Sequence, residues 1–416
     1  MATMTVPPQT AHAASGGSLL RQPPAVWAVA FAAMVAFMGI GLVGPILPTI
    51  SESLGSTPTQ TSLLFTSYLA VTAVAMFFTS WLSTRIGTRT TMLLGLAVIV
   101  VAAVGCALST SIDGVIAFRA LWGLGNALFL STALASIISA SGGRPAHAII
   151  LYEAALGLGL AVGPLAGGLL GDINWMAPFW GTASLMAVGF VAIIAVVRGS
   201  GRTGETSHVL APFRALRNPS ILVMSIVAFF YNSSFFVTLA YVPYPLGMTA
   251  VGIGLVMTGF GFGLAIASVL LAPLLTRRFS ATHVLMAVLG LFALTHVAAG
   301  FLTDSTAWLV VCVVLLGFEI GAANTLLTEV VMESSTLPRT VASSAYSGVR
   351  FFGGAIGAPV GTALAAFGVG MPFLFAAATA VVGILIMAFF RRSIARADHP
   401  VHEPAEVMAE TITLGE

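Results

Sequence analysis

Apolar positions along the chain gather into twelve windows of roughly 17 to 27 residues, about the length an α-helix needs to cross a bilayer. They lie near 25–50, 60–82, 91–109, 113–138, 146–170, 175–197, 219–241, 250–275, 281–303, 306–332, 341–366 and 371–390. The longest interior polar stretch, Arg198 to Asn218, divides them six and six. This pattern predicts an all-α polytopic membrane protein of twelve transmembrane helices in two pseudo-symmetric bundles, 25–197 and 219–390. The linker 198–218 joins the bundles, and tails cover 1–24 and 391–416.

Charge adds an orientation. All 16 basic residues are arginines. Arg21, Arg85, Arg89, Arg144, Arg198, Arg202, Arg214, Arg217, Arg277, Arg278, Arg339, Arg391, Arg392 and Arg396 fall on one side of a twelve-span layout. The opposite loops hold only the acids Glu52, Asp113, Asp172 and Asp304. The positive-inside rule then makes both termini and the linker cytoplasmic, in a cell (inner) membrane.

With 58% apolar and only 7% charged residues, the chain is not an ordinary soluble domain. A net charge of +2 is too small to point to nucleic acid. Cys106 and Cys312 both lie inside apolar windows, so neither a disulfide framework nor a metal site is expected. No apolar signal-peptide core precedes Pro24, and the first span is long enough to remain as an anchor. No P-loop is present, so an ion gradient is the natural energy source. Neither enzymatic activity nor a cofactor is expected.

The fifth span, Leu151 to Gly171, combines an acid with many small residues. Wound as a helix, it places Glu153, Gly157, Ala161, Pro164 and Gly168 on one side, with Gly159, Gly163 and Gly167 in a row beside them. Such a groove serves close approach of another helix rather than lipid. Weak self-similarity at an offset of about 195 matches Gly159 and Pro164 with Gly354 and Pro359. The eleventh span carries its own stripe of Tyr346, Arg350, Gly354, Gly357 and Gly361, and the eighth repeats Gly252, Gly259 and Gly263. Two parallel repeats with a substrate site between them are a known transporter plan.

Three motifs carry a resemblance to the major facilitator superfamily, and within it to the twelve-helix drug:proton antiporters, over residues 25–390. Gly159, Gly163, Pro164, Gly167 and Gly168 match the fifth-helix motif G-x-x-x-G-P-x-x-G-G of exporters. Phe118 to Gly123 is similar to the R-x-x-x-G motif, whose arginine, here Arg119, is implicated in proton coupling. Arg85, Gly87 and Arg89 match the gating motif G-x-x-x-D-R-x-G-R-R, while Ser80, Thr84 and Thr88 depart from it. The resemblance implies that spans 1, 4, 7 and 10 line the cavity and that spans 2, 5, 8 and 11 form the contact between halves. The fifth is expected to lie against the eighth. The missing aspartate at Thr84 implies a weaker or differently built latch.

Ionisable groups at bilayer depth are costly and mark function by default. Helical rise places Glu319 and Arg350 at similar depths, so they can pair, with Glu319 as a proton carrier tuned by Arg350. A permanent ion pair is the bland alternative. Glu153 is a second proton candidate or a hydrated carboxylate near Arg144, and Arg119 a coupling residue or one bonded to helix carbonyls. His296 is read as packed. For the substrate cavity the expected residues are Met34 and Met38, with Asn126 on the face of Arg119. On the aromatic seventh span they are Phe230, Ser234 and Tyr241.

These observations predict a proton-coupled efflux antiporter of lipophilic or drug-like molecules, working by alternating access and functional as a monomer. The bilayer, protons and a small lipophilic substrate are its partners, and nucleic acid is not. Two alternatives stay open, an exporter of one sugar or amino acid and a non-transporting sensor on the same scaffold.

Overall fold

The computed structural model describes residues 22–141, 145–197, 211–333 and 339–391; both tails and most of the linker lie outside them. Every element among the described residues is helical. The first predicted span forms α1 (Pro24–Gly41) and α2 (Val43–Leu54), interrupted at Leu42. Pro45 has no N–H for the Gly41 carbonyl, which accounts for the break. The next five are α3 (Pro58–Ile86), α4 (Thr88–Leu108), α5 (Ile112–Ser139), α6 (Pro145–Gly171) and α7 (Ala177–Val196). A short α8 (Ala211–Ala215) precedes α9 (Pro219–Tyr241). The eighth span is α10 (Ala250–Ile266), a π turn over Ala267–Leu271, and α11 (Ala272–Thr276). Last come α12 (Ala281–Phe301), α13 (Thr306–Glu333), α14 (Arg339–Leu364) and α15 (Met371–Phe389).

Helix starts are written locally. Thr57, Ser111, Asn218, Thr249 and Ser280 each accept a backbone N–H from the first turn that follows, and Thr57 with Gln60 closes a capping box. In the π turn the N–H of Ala272 reaches back five residues to Ala267. Pro273 lacks a donor one residue on, and the Ser268 hydroxyl donates to Gly321 of α13 at 2.9 Å.

Eleven helical spans among the described residues are long and apolar enough to cross a membrane. The described apolar part of α6, Ala155–Gly171, is shorter. Large apolar side chains stand exposed on α4, α7, α12 and α15, among them Val101, Val191, Leu294 and Leu385. In water such surfaces invite aggregation, whereas in acyl chains they cost nothing.

Packing repeats between the two sets of helices. In the first, α6 lies parallel to α1 on three glycines four residues apart. A methyl at Gly163 would stand 2.7 Å from the Met38 carbonyl oxygen, and methyls at Gly159 and Gly167 would collide with the carbonyls of Met34 and Leu42. In the second set, α14 meets α9 through Gly353, Gly357 and Gly361 against Phe229, Ser233 and Val237. Numbering differences are constant within each pair, so both are parallel in-register contacts. The repeat offset of about 195 relates one to the other.

Two antiparallel contacts join the sets. On one side α3 runs against α14. The Thr362 hydroxyl donates to Ser62 at 3.0 Å, Leu69 touches Gly354, and Phe77 lies on Gly348. On the other side α6 runs against α10, as expected. The arginine-poor ends are drawn together: Thr61 and Tyr244 hydroxyls meet at 2.8 Å, and Gly44 approaches the Leu239 carbonyl.

Candidate functional site

The expected exporter motif divides between two neighbours. Gly159, Gly163 and Gly167 serve the contact with α1 just described, inside one set of helices. The contact with α10 belongs to the other row. A methyl at Gly168 would stand 2.5 Å from the Ala250 oxygen, and one at Gly254 would stand 2.7 Å from the Pro164 oxygen. Gly261 would meet Ala161 at 2.6 Å. One turn further toward the arginine-bearing end there is room beside the helix, for nothing lies within 4 Å of a methyl at Gly157. The eighth-span glycines singled out by spacing also face elsewhere. Gly259 and Gly263 meet Val314 and Phe318 of α13, and Gly252 meets Met248 of the loop just before α10.

Glu319 is buried on the side of α13 turned toward α12. Its Oε1 accepts a hydrogen bond from the Thr295 hydroxyl at 2.7 Å, while Oε2 is buried without a partner. The expected pair with Arg350 is not formed. Gly317 and Gly321 turn α13 toward Phe260 and Leu264 of α10, which leaves Glu319 toward α12. Arg350 points instead to α9, where its Nε donates to the Asn232 side chain at 3.4 Å. The Asn232 amide in turn donates to the Arg350 carbonyl at 2.9 Å. The guanidinium stays half-buried, 5.6 Å from the Phe351 ring and 5.9 Å from Tyr346. The Glu153 side chain lies outside the described residues, as does that of Arg144.

Arg119 is fully buried, donating to the carbonyls of Leu64 at 3.4 Å and Gly39 at 3.3 Å. Its guanidinium lies 4.5 Å from the Tyr68 ring and 4.9 Å from Trp122, with one terminal nitrogen unpartnered. Aromatic faces and carbonyl dipoles thus hold the cation. Asn126 continues the cluster, donating to the Tyr68 hydroxyl at 2.5 Å. His296 is packed, with Nδ1 bonded to the Phe292 carbonyl at 2.8 Å and Nε2 to Thr238 at 2.9 Å.

The cavity face expected on the seventh span is a packing face over part of its length. Ser234 donates to Ala376 of α15, and Tyr241 donates to Val369 with its ring against Phe373. Hydroxyls at bilayer depth take the nearest helix carbonyl because water is absent. Phe230 is half-buried, its ring edge-on to Phe229 at 5.3 Å. Met34 is half-buried and Met38 buried. Ser234→Ala is therefore expected to lower thermal stability in detergent by about 0.6 kcal/mol and leave the substrate range unchanged. An altered substrate range would put Ser234 in the cavity.

The gating-loop residues are a local corner. Gly87 ends α3 with φ 88°, a region that favours glycine. Arg89 donates to the Ile194 carbonyl at 3.0 Å, which ties the corner to the end of α7. Arg85 is exposed and stacks on Trp81 at 4.5 Å. Thr84, at the motif's aspartate position, donates to Trp81 in its own helix at 2.9 Å.

Thr295, Tyr68 and Asn232 complete these polar clusters, and none was singled out from sequence as a partner of a charge.

Comparison with known proteins gives a consistent picture. The family model of the Major Facilitator Superfamily matches residues 29–244 and again 221–411. The multidrug efflux protein YfmO of Bacillus subtilis (strain 168) is 45% identical over 378 residues, 91% of this chain and 96% of that protein. Multidrug resistance protein 1 of the same organism is 25% identical, covering 85% of this chain and 92% of its own length. Among solved structures, the nucleoside transporter NupG (D323A mutant) superposes with a TM-score of 0.72 at 12% identity, over 88% of this chain and 100% of that one.

Proposed function

Because the chain belongs to the Major Facilitator Superfamily, a family of membrane transporters rather than enzymes, we propose that it is a proton-coupled antiporter that exports lipophilic or drug-like molecules. The multidrug efflux protein at 45% identity supports the substrate class and the direction. One observation carries the mechanism. The α6–α10 contact at its arginine-poor end is made by backbone and by residues with little or no side chain, and there is open space beside Gly157. A contact of backbone on backbone can roll without breaking side-chain bonds, so the two sets of helices open toward alternate faces.

In this reading the twelve spans form two bundles, 25–197 and 219–390, with cytoplasmic termini in the inner membrane, and a monomer suffices. Glu319 carries the proton, with Glu153 as a second candidate, and Arg119 and Arg350 set the field in which they work. Arg350, half-buried beside Asn232 and Phe351, and the half-buried Phe230 and Met34 are the candidates for the substrate path. The experiment is transport by everted vesicles energised by respiration. Cationic dyes and antibiotics are expected to collapse the pH gradient, while sugars and amino acids leave it unchanged. A response confined to one metabolite, or no response from folded protein, overturns the proposal.

A further inference from the structure

An apolar groove of about 460 Å³ lies between α3 and α5, on the side of α3 turned away from α14 and from the Arg119 cluster. Its walls include Val71, Val74, Phe78 and Leu82 of α3 and Leu124 and Leu128 of α5. On α5, Gly123 packs on Tyr68 of α3 and Gly125 on Gly95 of α4, which leaves Leu124 between them at the surface. Val74 and Phe78 are exposed there. The groove therefore opens sideways to acyl chains.

Val71, Val74, Phe78, Leu82 and Arg85 follow one another at spacings of three and four, a single face of α3. From Val71 to Leu82 this face runs about 16 Å at helical rise, roughly half of a ~30 Å hydrocarbon core. At its end stand an indole and a cation: Trp81 lines the groove, and Arg85 stacks on it, exposed. The neighbouring Thr84 carries no charge, and its hydroxyl is turned back to its own helix. An apolar slot one leaflet deep with an arginine at the headgroup level matches the two ends of one molecule.

We infer that this groove binds one anionic glycerophospholipid from the arginine-side leaflet, an acyl chain along α3 and α5 and its phosphate at Arg85. Arg85 then anchors lipid at the mouth of the corner that Gly87 and Arg89 form. The inference needs only a membrane-embedded chain and is independent of proton coupling.

Native mass spectrometry of the purified full-length protein tests it, with phosphatidylglycerol or phosphatidylcholine of equal chain length added to the micelles. One phosphatidylglycerol is expected to be retained in preference to phosphatidylcholine. Arg85→Gln is expected to reduce that preference about fivefold. Val74→Trp fills the groove and is expected to release both lipids; Leu124→Phe serves the same purpose should the tryptophan variant melt early. Equal retention of the two lipids, an unchanged preference in Arg85→Gln, or release of the lipid by a transported dye overturns the inference.

Discussion

Glu319→Gln is expected to abolish the collapse of the pH gradient by exported dyes while leaving dye binding and membrane insertion intact. Among the described residues Glu319 is the one buried carboxylate, 6% exposed within α13. Glutamine has the same shape and keeps an oxygen for the Thr295 hydroxyl, so packing is preserved. What it cannot do is take up and release a proton. The geometry makes that loss decisive, since Oε2 is buried with no protein donor and is the place where a proton can be held. Arg350 does not bond this carboxylate, so Arg350→Gln is expected to alter dye transport through Asn232 rather than to mimic Glu319→Gln. Proton-driven efflux that survives in Glu319→Gln, measured in everted vesicles with equal amounts of protein, removes Glu319 from the mechanism.

Span positions were legible because lipid forces long apolar helices; the caps at Thr57, Ser111, Asn218, Thr249 and Ser280 came only with the structure. The internal repeat was legible as well, and the structure gives it a physical meaning in the matched glycine seams of α6 on α1 and α14 on α9. Partners of the buried charges were not legible. Depth along a helix can be counted from sequence, but which neighbour a face meets cannot. Glu319 and Arg350 share a depth and still look in different directions, toward α12 and α9. Ser234 and Tyr241 share a face with Phe230, yet both hydroxyls are taken up by Ala376 of α15 and by Val369 just before it. A helix wheel says which residues go together; it does not say toward what.

The same limit decides the sharpest contrast in the molecule, between two glycines five residues apart. Gly168→Leu is expected to leave insertion and expression near normal and to stop transport. Its side chain would push against Ala250 and Gly254 of α10, where the two sets of helices meet and must part. The closed contact would be wedged open at the arginine-poor end, so the protein would fold and yet fail to cycle. Gly163→Leu acts elsewhere. It faces Met38 and Gly41 of α1, within one set, where no relative movement is called for. Overpacking such a seam costs about 1–3 kcal/mol or more, so the expected outcome is poor folding, seen as lost expression and a lowered melting temperature. Measuring thermal stability and dye efflux on both variants separates the two roles. A stable Gly163→Leu protein without transport, beside an active Gly168→Leu protein, would move the hinge from the α6–α10 contact to the α6–α1 seam.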